Sequence, residues 1–182
     1  MTERYPVRPV RAHEWREIKA LRLQALDDEA APIAFLESYA DAGARTDEFW
    51  QDRARGSSAD AGAGAVVRQF VATTADGRWV GTVAALVERA GETDFEGAVV
   101  EESSGHLVGV YVHPEHRGRG LLDILIEAVT EWLRELGLPR ARLYVHADNA
   151  RAQRAYAKAG FRDTGGRFTG SIGPEIEMAM AL

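Results

Sequence analysis

Hydrophobic and polar positions change period several times along the chain, and each change marks an element. Tyr5 to Val10 is a short run containing Pro6 and Pro9. It reads as a strand confined to a sheet edge, because proline cannot donate to a ladder. From His13 to Glu29, the residues Trp15, Ile18, Leu21, Ala25 and Leu26 recur at helical spacing. Thr46 to Arg55 reads as a second helix, with Thr46 as N-cap, Asp47 and Glu48 in the first turn, and Phe49 and Trp50 as apolar anchors. Val67 to Thr73 and Trp79 to Glu88 are strand-like and joined by Ala75-Asp76-Gly77-Arg78, a hairpin signal. His106 to Val112 is a third long strand. Leu121 to Leu136 carries the clearest helical stripe (Leu121, Leu125, Val129, Trp132, Leu133, Leu136), ended by Gly137 and Pro139. Ala141 to His146 is a strand, Asn149 to Ala159 a helix closed by Gly160, and Phe161 to Thr164 and Ile176 to Met180 are the last strands. Gly56 to Gly64 and Gly91 to Ser104 read as loops.

The succession His106–Val112, Leu121–Leu136, Ala141–His146 is a β-α-β unit with parallel strands. With the preceding hairpin it implies an α/β fold: a mixed, mostly antiparallel sheet of about six or seven strands with helices on both faces. The 182 residues suit one domain over residues 1–182, since the pieces flanking either loop are too small to own a core. No internal repeat is present. Hydrophobic residues are 46% and charged residues 27%, the balance of a soluble globular protein. No apolar run is long enough for a membrane span, and the N-terminus has no apolar signal region, so the cytoplasm is the expected compartment. The net charge of −6 argues against a general nucleic-acid binder. Cysteine is absent, which excludes disulfides, thiolate catalysis and cysteine-based zinc sites. No other set has credible metal-ligand spacing, so no metal is expected.

The most informative stretch joins strand to helix: Val110-Tyr111-Val112-His113-Pro114-Glu115-His116-Arg117-Gly118-Arg119-Gly120-Leu121-Leu122. Two glycines allow a tight turn and close approach of a ligand to the backbone. The amides after Gly120 are the unpaired donors of a helix N-terminus, and Arg117 and Arg119 add full charges. A pyrophosphate suits such a site best. A P-loop would need Gly-Lys-Ser/Thr, which is missing, and a dinucleotide fingerprint would need a third glycine where Asp123 stands. A plain glycine-rich turn with solvated arginines is the bland alternative; His113 and His116 are expected to face solvent or the phosphates.

The second constellation runs from Asn149 to Phe161, NARAQRAYAKAGF. Alone it is a capped helix with a packed tyrosine. Together the two stretches resemble the GNAT superfamily of acetyl-CoA-dependent N-acetyltransferases. The match is to V-x-P-x-x-R-G-x-G-L over Val112–Leu121 and N-x-x-A-x-x-x-Y-x-x-x-G-F over Asn149–Phe161. Ala31 to Tyr39, APIAFLESY, also looks like the loop between the first helices of many members. The resemblance spans essentially the whole chain, with its specific part in residues 106–161. Leu122 stands where the family usually has Gly or Ala.

The resemblance implies that a splayed gap beyond the third long strand admits the pantetheine arm of acetyl-CoA, which pairs with the strand edge like an added strand. The backbone of Val110, Tyr111 and Val112 would line that edge, with a β-bulge at Gly109, and an amide near Val108 to Val110 would polarise the thioester carbonyl. Backbone amides of Gly118, Arg119, Gly120, Leu121 and Leu122, with the Arg117 and Arg119 charges beside them, would hold the diphosphate. Asn149 would contact the arm or orient Tyr156. Tyr156 matches the general acid that protonates the leaving thiolate. His106 is one candidate for the base, with Glu88, Glu101, Glu102 and a water chain as alternatives. The acceptor would be a primary amine of a small molecule or peptide, attacking directly in a ternary complex. The acidic segment from Glu88 to Glu102 could attract a cationic amine, although charge runs are usually solvated faces. Homodimers are common among members, and the sequence leaves the oligomeric state open. The rival readings are a non-catalytic acyl-CoA-binding module and a nucleotide-binding protein that uses the same turn.

Overall fold

The computed structural model describes residues 5–94 and 97–182. Glu96, one carboxylate of the acidic segment, lies outside the described residues. A seven-stranded sheet forms the centre, in the order β1-β2-β3-β4-β5-β7-β6. Its strands are β1 (Val7–Pro9), β2 (Val67–Thr73), β3 (Trp79–Glu88), β4 (Ser104–Val112), β5 (Arg140–His146), β6 (Arg162–Gly170) and β7 (Gly173–Ala181). Only β4 and β5 run parallel; all other neighbours are antiparallel. The mixed α/β sheet expected from the sequence is therefore present, with seven strands.

Helices cover both faces. On one face α4 (Leu121–Glu135) lays Leu121, Leu125, Val129 and Leu133 onto Val80, Ala85, Leu107 and Leu143, all at most 3% exposed. Each such leucine contributes about 1.5–3 kcal/mol relative to exposure. α5 (Ala150–Lys158) packs Ala152 and Tyr156 against the same core. On the opposite face α1 (Trp15–Leu26) and α3 (Asp47–Ser57) enclose Ile18, Leu21, Trp50 and Ala54 with Val71 and Tyr111. Thr46 caps α3 by accepting from the Phe49 amide, as its position predicts.

Gly105 sets how closely α4 approaches the sheet. A Cβ there would lie 2.2–2.8 Å from three side-chain atoms of Leu133. Only glycine lets that leucine reach the strand.

Several boundaries differ from expectation. The first helix is shorter than His13–Glu29: a 3-10 turn over Ala12–Glu14 precedes it, and Asp28 turns back to accept the Ala30 amide just after it ends. The six-residue α2 (Tyr39–Ala44) was not expected. Ser38 caps it by accepting from the Asp41 amide, and six residues leave too little periodicity to read. β6 extends to Gly170, well past Thr164, and β7 runs from Gly173 to Ala181. β6 pairs only with β7 and is exposed along most of its length, so its sequence shows no apolar alternation. Leu136 leaves the α4 stripe and becomes the C-cap, because Gly137 (φ +72°) closes the helix with Leu138 N–H bonded to Leu133 O and Gly137 N–H to Arg134 O. Among the described residues no helix is long and apolar enough to cross a membrane.

Candidate functional site

The parallel pairing between β4 and β5 covers only Gly105 with Ala141 and His106 with Arg142. Past that point the strands separate, although β4 continues to Val112 and β5 to His146. A bulge accentuates the opening. Thr82 faces Tyr111 and Ala84 faces Val108, so Gly109 and Val110 together oppose Val83, with Gly109 at φ +61°. The extra residue exchanges the faces of the strand. Leu107 packs into the core under α4, whereas Tyr111, four residues on, packs against α1 and α3. A cavity of about 500 Å³ occupies the gap, lined by Gly109 to Val112 on one side and Leu143 to His146 on the other.

The strand-to-helix turn faces this cavity through His116, Arg117, Gly118, Gly120, Leu121 and Leu122. Gly118 and Gly120 sit at φ +73° and +81°, where a β-carbon is disfavoured. Nothing lies within 4 Å of where a Cβ would stand at either. Backbone bonding closes the preceding turn at Arg117 N–H to Pro114 O and resumes at Ile124 N–H to Gly120 O. Among the described residues, no backbone carbonyl outside the helix and strand ladders accepts from the amides of Gly118, Gly120, Leu121 or Leu122. An open concavity rimmed by helix-start amides fits a diphosphate on geometric grounds alone.

The arginines behave differently from one another. Arg117 folds back: its Nε donates to Val112 O at 2.9 Å and its Nη2 binds the Asp28 carboxylate. Its charge is thus paired with Asp28, and the residue still lines the cavity. Arg119 is exposed and does not line the cavity. His116 also departs from expectation. It is 5% exposed because Tyr5 Oη bonds its Nδ1 at 3.0 Å and Arg78 approaches its Nε2 at 3.2 Å. His113, Glu115 and His116 bring ligand-type atoms within 4.8 Å of one another. Both ring nitrogens of His116 are already engaged, one of them by a cation, which disfavours a metal ion there.

α5 fixes Tyr156 from both ends. Asn149 caps the helix by accepting from the Ala152 amide at 3.1 Å. Gly160 (φ +106°) closes it, with Phe161 N–H bonded to Tyr156 O and Gly160 N–H to Ala157 O. This closure places Phe161 edge-on to Tyr156 at 6.0 Å between ring centroids. The N…Y…GF spacing is therefore the spacing of a cap, a positioned tyrosine and its stop. Tyr156 lines the cavity, and its hydroxyl is bonded to no other described residue. Burial pushes its phenol well above the ordinary value, so it is protonated at neutral pH.

His106 lies elsewhere. It is 1% exposed and does not line the cavity; its Nδ1 meets Glu88 Oε1 at 2.7 Å. Glu88 continues to Arg142, 2.7 Å from Nε, and Arg142 reaches Asp94 at 2.9 Å and Glu177 at 3.1 Å. Tyr144 joins by donating to Asp94 at 3.0 Å, and its ring meets His106 edge-on at 5.0 Å. Burial pushes the Glu88 and Asp94 carboxyls up, but hydrogen bonds from His106 and Arg142, and from Arg142 and the Ala98 amide, outweigh it and hold both below the ordinary range. A carboxylate so stabilised is a poor base. Glu101 and Glu102 are exposed and line no part of the cavity. Two carboxylates of the acidic segment thus serve Arg142 as internal partners. An arginine within the apolar strand Ala141–His146 was the sequence signal for this network.

Sequence reasoning missed two walls of the cavity. Ala30, Ala31, Ile33, Ala34 and Phe35 form one, directly after α1. Ile172 at the β6–β7 tip forms part of the other, its carbonyl 3.1 Å from His146 Nε2, with Tyr144 and the buried Glu175 beside it.

This geometry has known counterparts. The family model of the acetyltransferase (GNAT) family matches residues 23–161, and the chain belongs to that family. A mycothiol acetyltransferase from Nocardiopsis dassonvillei is 39% identical over 92 residues, covering 50% of this chain and 27% of that protein. An aminoglycoside N(6')-acetyltransferase type 1 from Stenotrophomonas maltophilia is 32% identical over 95 residues, covering 52% of this chain and 60% of that one. The chain thus spans less than two thirds of the length of each of these relatives. The same fold occurs in a PaiA N-acetyltransferase from Thermoplasma acidophilum in complex with coenzyme A, at TM-score 0.65 and 15% identity, covering 98% of this chain and 99% of that one.

Proposed function

We propose that the chain transfers an acetyl group from acetyl-CoA to a primary amine of a small molecule or peptide while both are bound. One observation carries this reading: the open edge of β4, the amides that begin α4 and Tyr156 all border a single cavity. Gly118, Gly120, Leu121 and Leu122 would hold the diphosphate through their amides, and Arg119 would add charge at the rim. The exposed edge at Val110 to Val112 would pair with the pantetheine arm. Acetyl-CoA supplies an activated acyl group. An amide of the bulged segment Val108 to Val110 would hold the negative charge that develops on its carbonyl oxygen. Tyr156 would donate its proton to the departing thiolate, a role that suits a phenol kept protonated by burial.

His106 and Glu88 do not line the cavity, so in this reading the amine loses its proton to water in the cleft. The two relatives are named for mycothiol and for an aminoglycoside, which are different small molecules, so the names do not single out one acceptor class for this chain. The test is release of free thiol from acetyl-CoA in the presence of polyamines, aminoglycosides, amino sugars and peptides with free N-termini. Turnover with one class supports the reading. Coenzyme A binding without turnover across the panel would support the non-catalytic binding module instead.

A further inference from the structure

The cavity holds a second buried phenol besides Tyr156. Tyr111 lines it and is 5% exposed. Its hydroxyl is bonded to no other described residue, and its oxygen is not sealed from the cavity. A phenol in that position gives its hydrogen bonds to water until a ligand displaces the water. Burial, and after it the Asp28 carboxylate, push the phenol up to about 12 against the opposing Arg117, so it keeps its proton at neutral pH. Asp28 and Arg117 are themselves paired with each other. The hydroxyl is thus a neutral group that can both donate and accept.

The two phenols stand on opposite faces of the sheet. Tyr156 packs with the core beneath α4 and α5, Tyr111 with the cluster beneath α1 and α3. The bulge at Gly109 and Val110 causes this, because without the extra residue position 111 would share the face of Leu107. An amine attacks a thioester carbonyl from above or below its plane. Tyr156 occupies the α5 side and serves the departing sulfur, which leaves the other face for the nucleophile. There the cavity wall is apolar through Ala30, Ala31, Ile33, Ala34 and Phe35. Other polar side chains of that face are engaged. His146 Nδ1 accepts from the Asp148 amide and its Nε2 donates to Ile172 O, each at 3.1 Å, and Tyr144 donates to Asp94. Glu175, beside His146 in the β5–β7 register, is a carboxylate and would favour the ammonium, the form that cannot attack.

We propose that the Tyr111 hydroxyl is a specificity-determining group for the acceptor, accepting a hydrogen bond from the neutral amine and holding its lone pair toward the thioester carbonyl. This rests on the acetyl-transfer reading above. An ammonium in the same place would bring a charge against an apolar wall. During transfer the nitrogen bonds to the carbonyl carbon and the carbon–sulfur bond breaks. The thiolate takes the Tyr156 proton, and the proton left on nitrogen passes to water in the cleft. Tyr111 neither gains nor loses a proton; its contribution is amine binding and orientation.

The test is thiol release from acetyl-CoA by the full chain with benzylamine, glucosamine, spermidine and kanamycin. With the fastest of these, Tyr111→Phe should raise the acceptor KM about tenfold, equivalent to about 1.4 kcal/mol, and the loss should fall on KM rather than kcat, as for an interaction made equally before and during attack. Tyr156→Phe should show the opposite split, with kcat falling and the acceptor KM held. Thermal melting and coenzyme A calorimetry should not distinguish Tyr111→Phe from the parent, since the change breaks no bond within the protein. An acceptor KM within threefold of the parent overturns the proposal and leaves the acetyl-transfer reading intact. So does a loss that appears in coenzyme A affinity instead, which would make Tyr111 a contact of the pantetheine arm. No thiol release by the parent with any of the four amines overturns both.

Discussion

Replacing Tyr156 by phenylalanine removes one oxygen and leaves the ring in place. The ring packs against the α4-side core and stands edge-on to Phe161 at 6.0 Å, and both contacts survive the change. The hydroxyl has no partner among the described residues, so its loss strands no other polar group. The folding free energy should therefore change by no more than about 0.5 kcal/mol. Coenzyme A affinity should stay within a factor of about 3, because in the proposed reading backbone groups hold the diphosphate and the arm. Catalysis should respond differently. A positioned general acid contributes about 10²–10⁴-fold, so kcat should fall by that factor, or about 3–5 kcal/mol of barrier. The burial that raises the phenol also predicts that wild-type activity does not fall through Tyr156 ionisation below about pH 10. Thiol-release kinetics with the best acceptor from the amine panel, alongside thermal melting and coenzyme A calorimetry, separate these quantities. A kcat within threefold of wild type would make Tyr156 a packing residue and refute the assignment.

Gly120→Ala forces a β-carbon onto a backbone at φ +81°, a strain of about 1–2 kcal/mol, at the rim proposed for the diphosphate; if the free turn relaxes to escape that strain, binding must restore it, and calorimetry should show coenzyme A bound about tenfold more weakly. Gly105→Ala drives a methyl into Leu133 and should cost about 1–3 kcal/mol in urea unfolding. Because Leu133→Ala makes room for it, the double variant should be less unstable than the sum of the two single changes. Arg142→Met leaves Glu88 and Asp94 buried without their cation and should cost about 3–5 kcal/mol. The sign of its pH effect follows from the depressed carboxyls. Their stabilisation is present above the ordinary carboxyl range near pH 4 and is lost as pH falls toward the folded values. Unfolding measured against pH should show this acid loss in wild type and a smaller one in Arg142→Met, whose carboxyls are no longer held down; an equal loss in both would contradict the network.

What could be read from the sequence is what is encoded locally. Gly118, Gly120 and the run from Asn149 to Phe161 announce themselves because turn and cap chemistry depends on residues a few positions apart. The α4 stripe was legible for the same reason, and with it the β-α-β unit; the splay of its two strands was implied only by the family resemblance. α2 was missed although Ser38 and Asp41 form a short capping signal, since six residues cannot establish a period. β6 was cut short because an exposed edge strand, here containing Gly165, Gly166 and Gly170, has no buried face to write into the pattern. The partners of long-range contacts were not legible; Arg142 stood out as a charge in an apolar strand, but not what it meets. Asp28 and Arg117 meet across 89 residues, and Arg142 gathers Glu88, Asp94 and Glu177 from three separate segments. These contacts pair Arg117 with Asp28 at the cavity wall and engage His106 outside the cavity, which spacing alone could not reveal.

A crystal structure with coenzyme A bound tests the central claim most directly. The diphosphate should lie within hydrogen-bonding distance of the amides of Gly118 and Gly120 to Leu122, the arm should run along β4 in the gap beyond His106, and the sulfur should lie near the Tyr156 hydroxyl. A diphosphate held elsewhere, or an arm that never enters the gap between β4 and β5, would contradict the account.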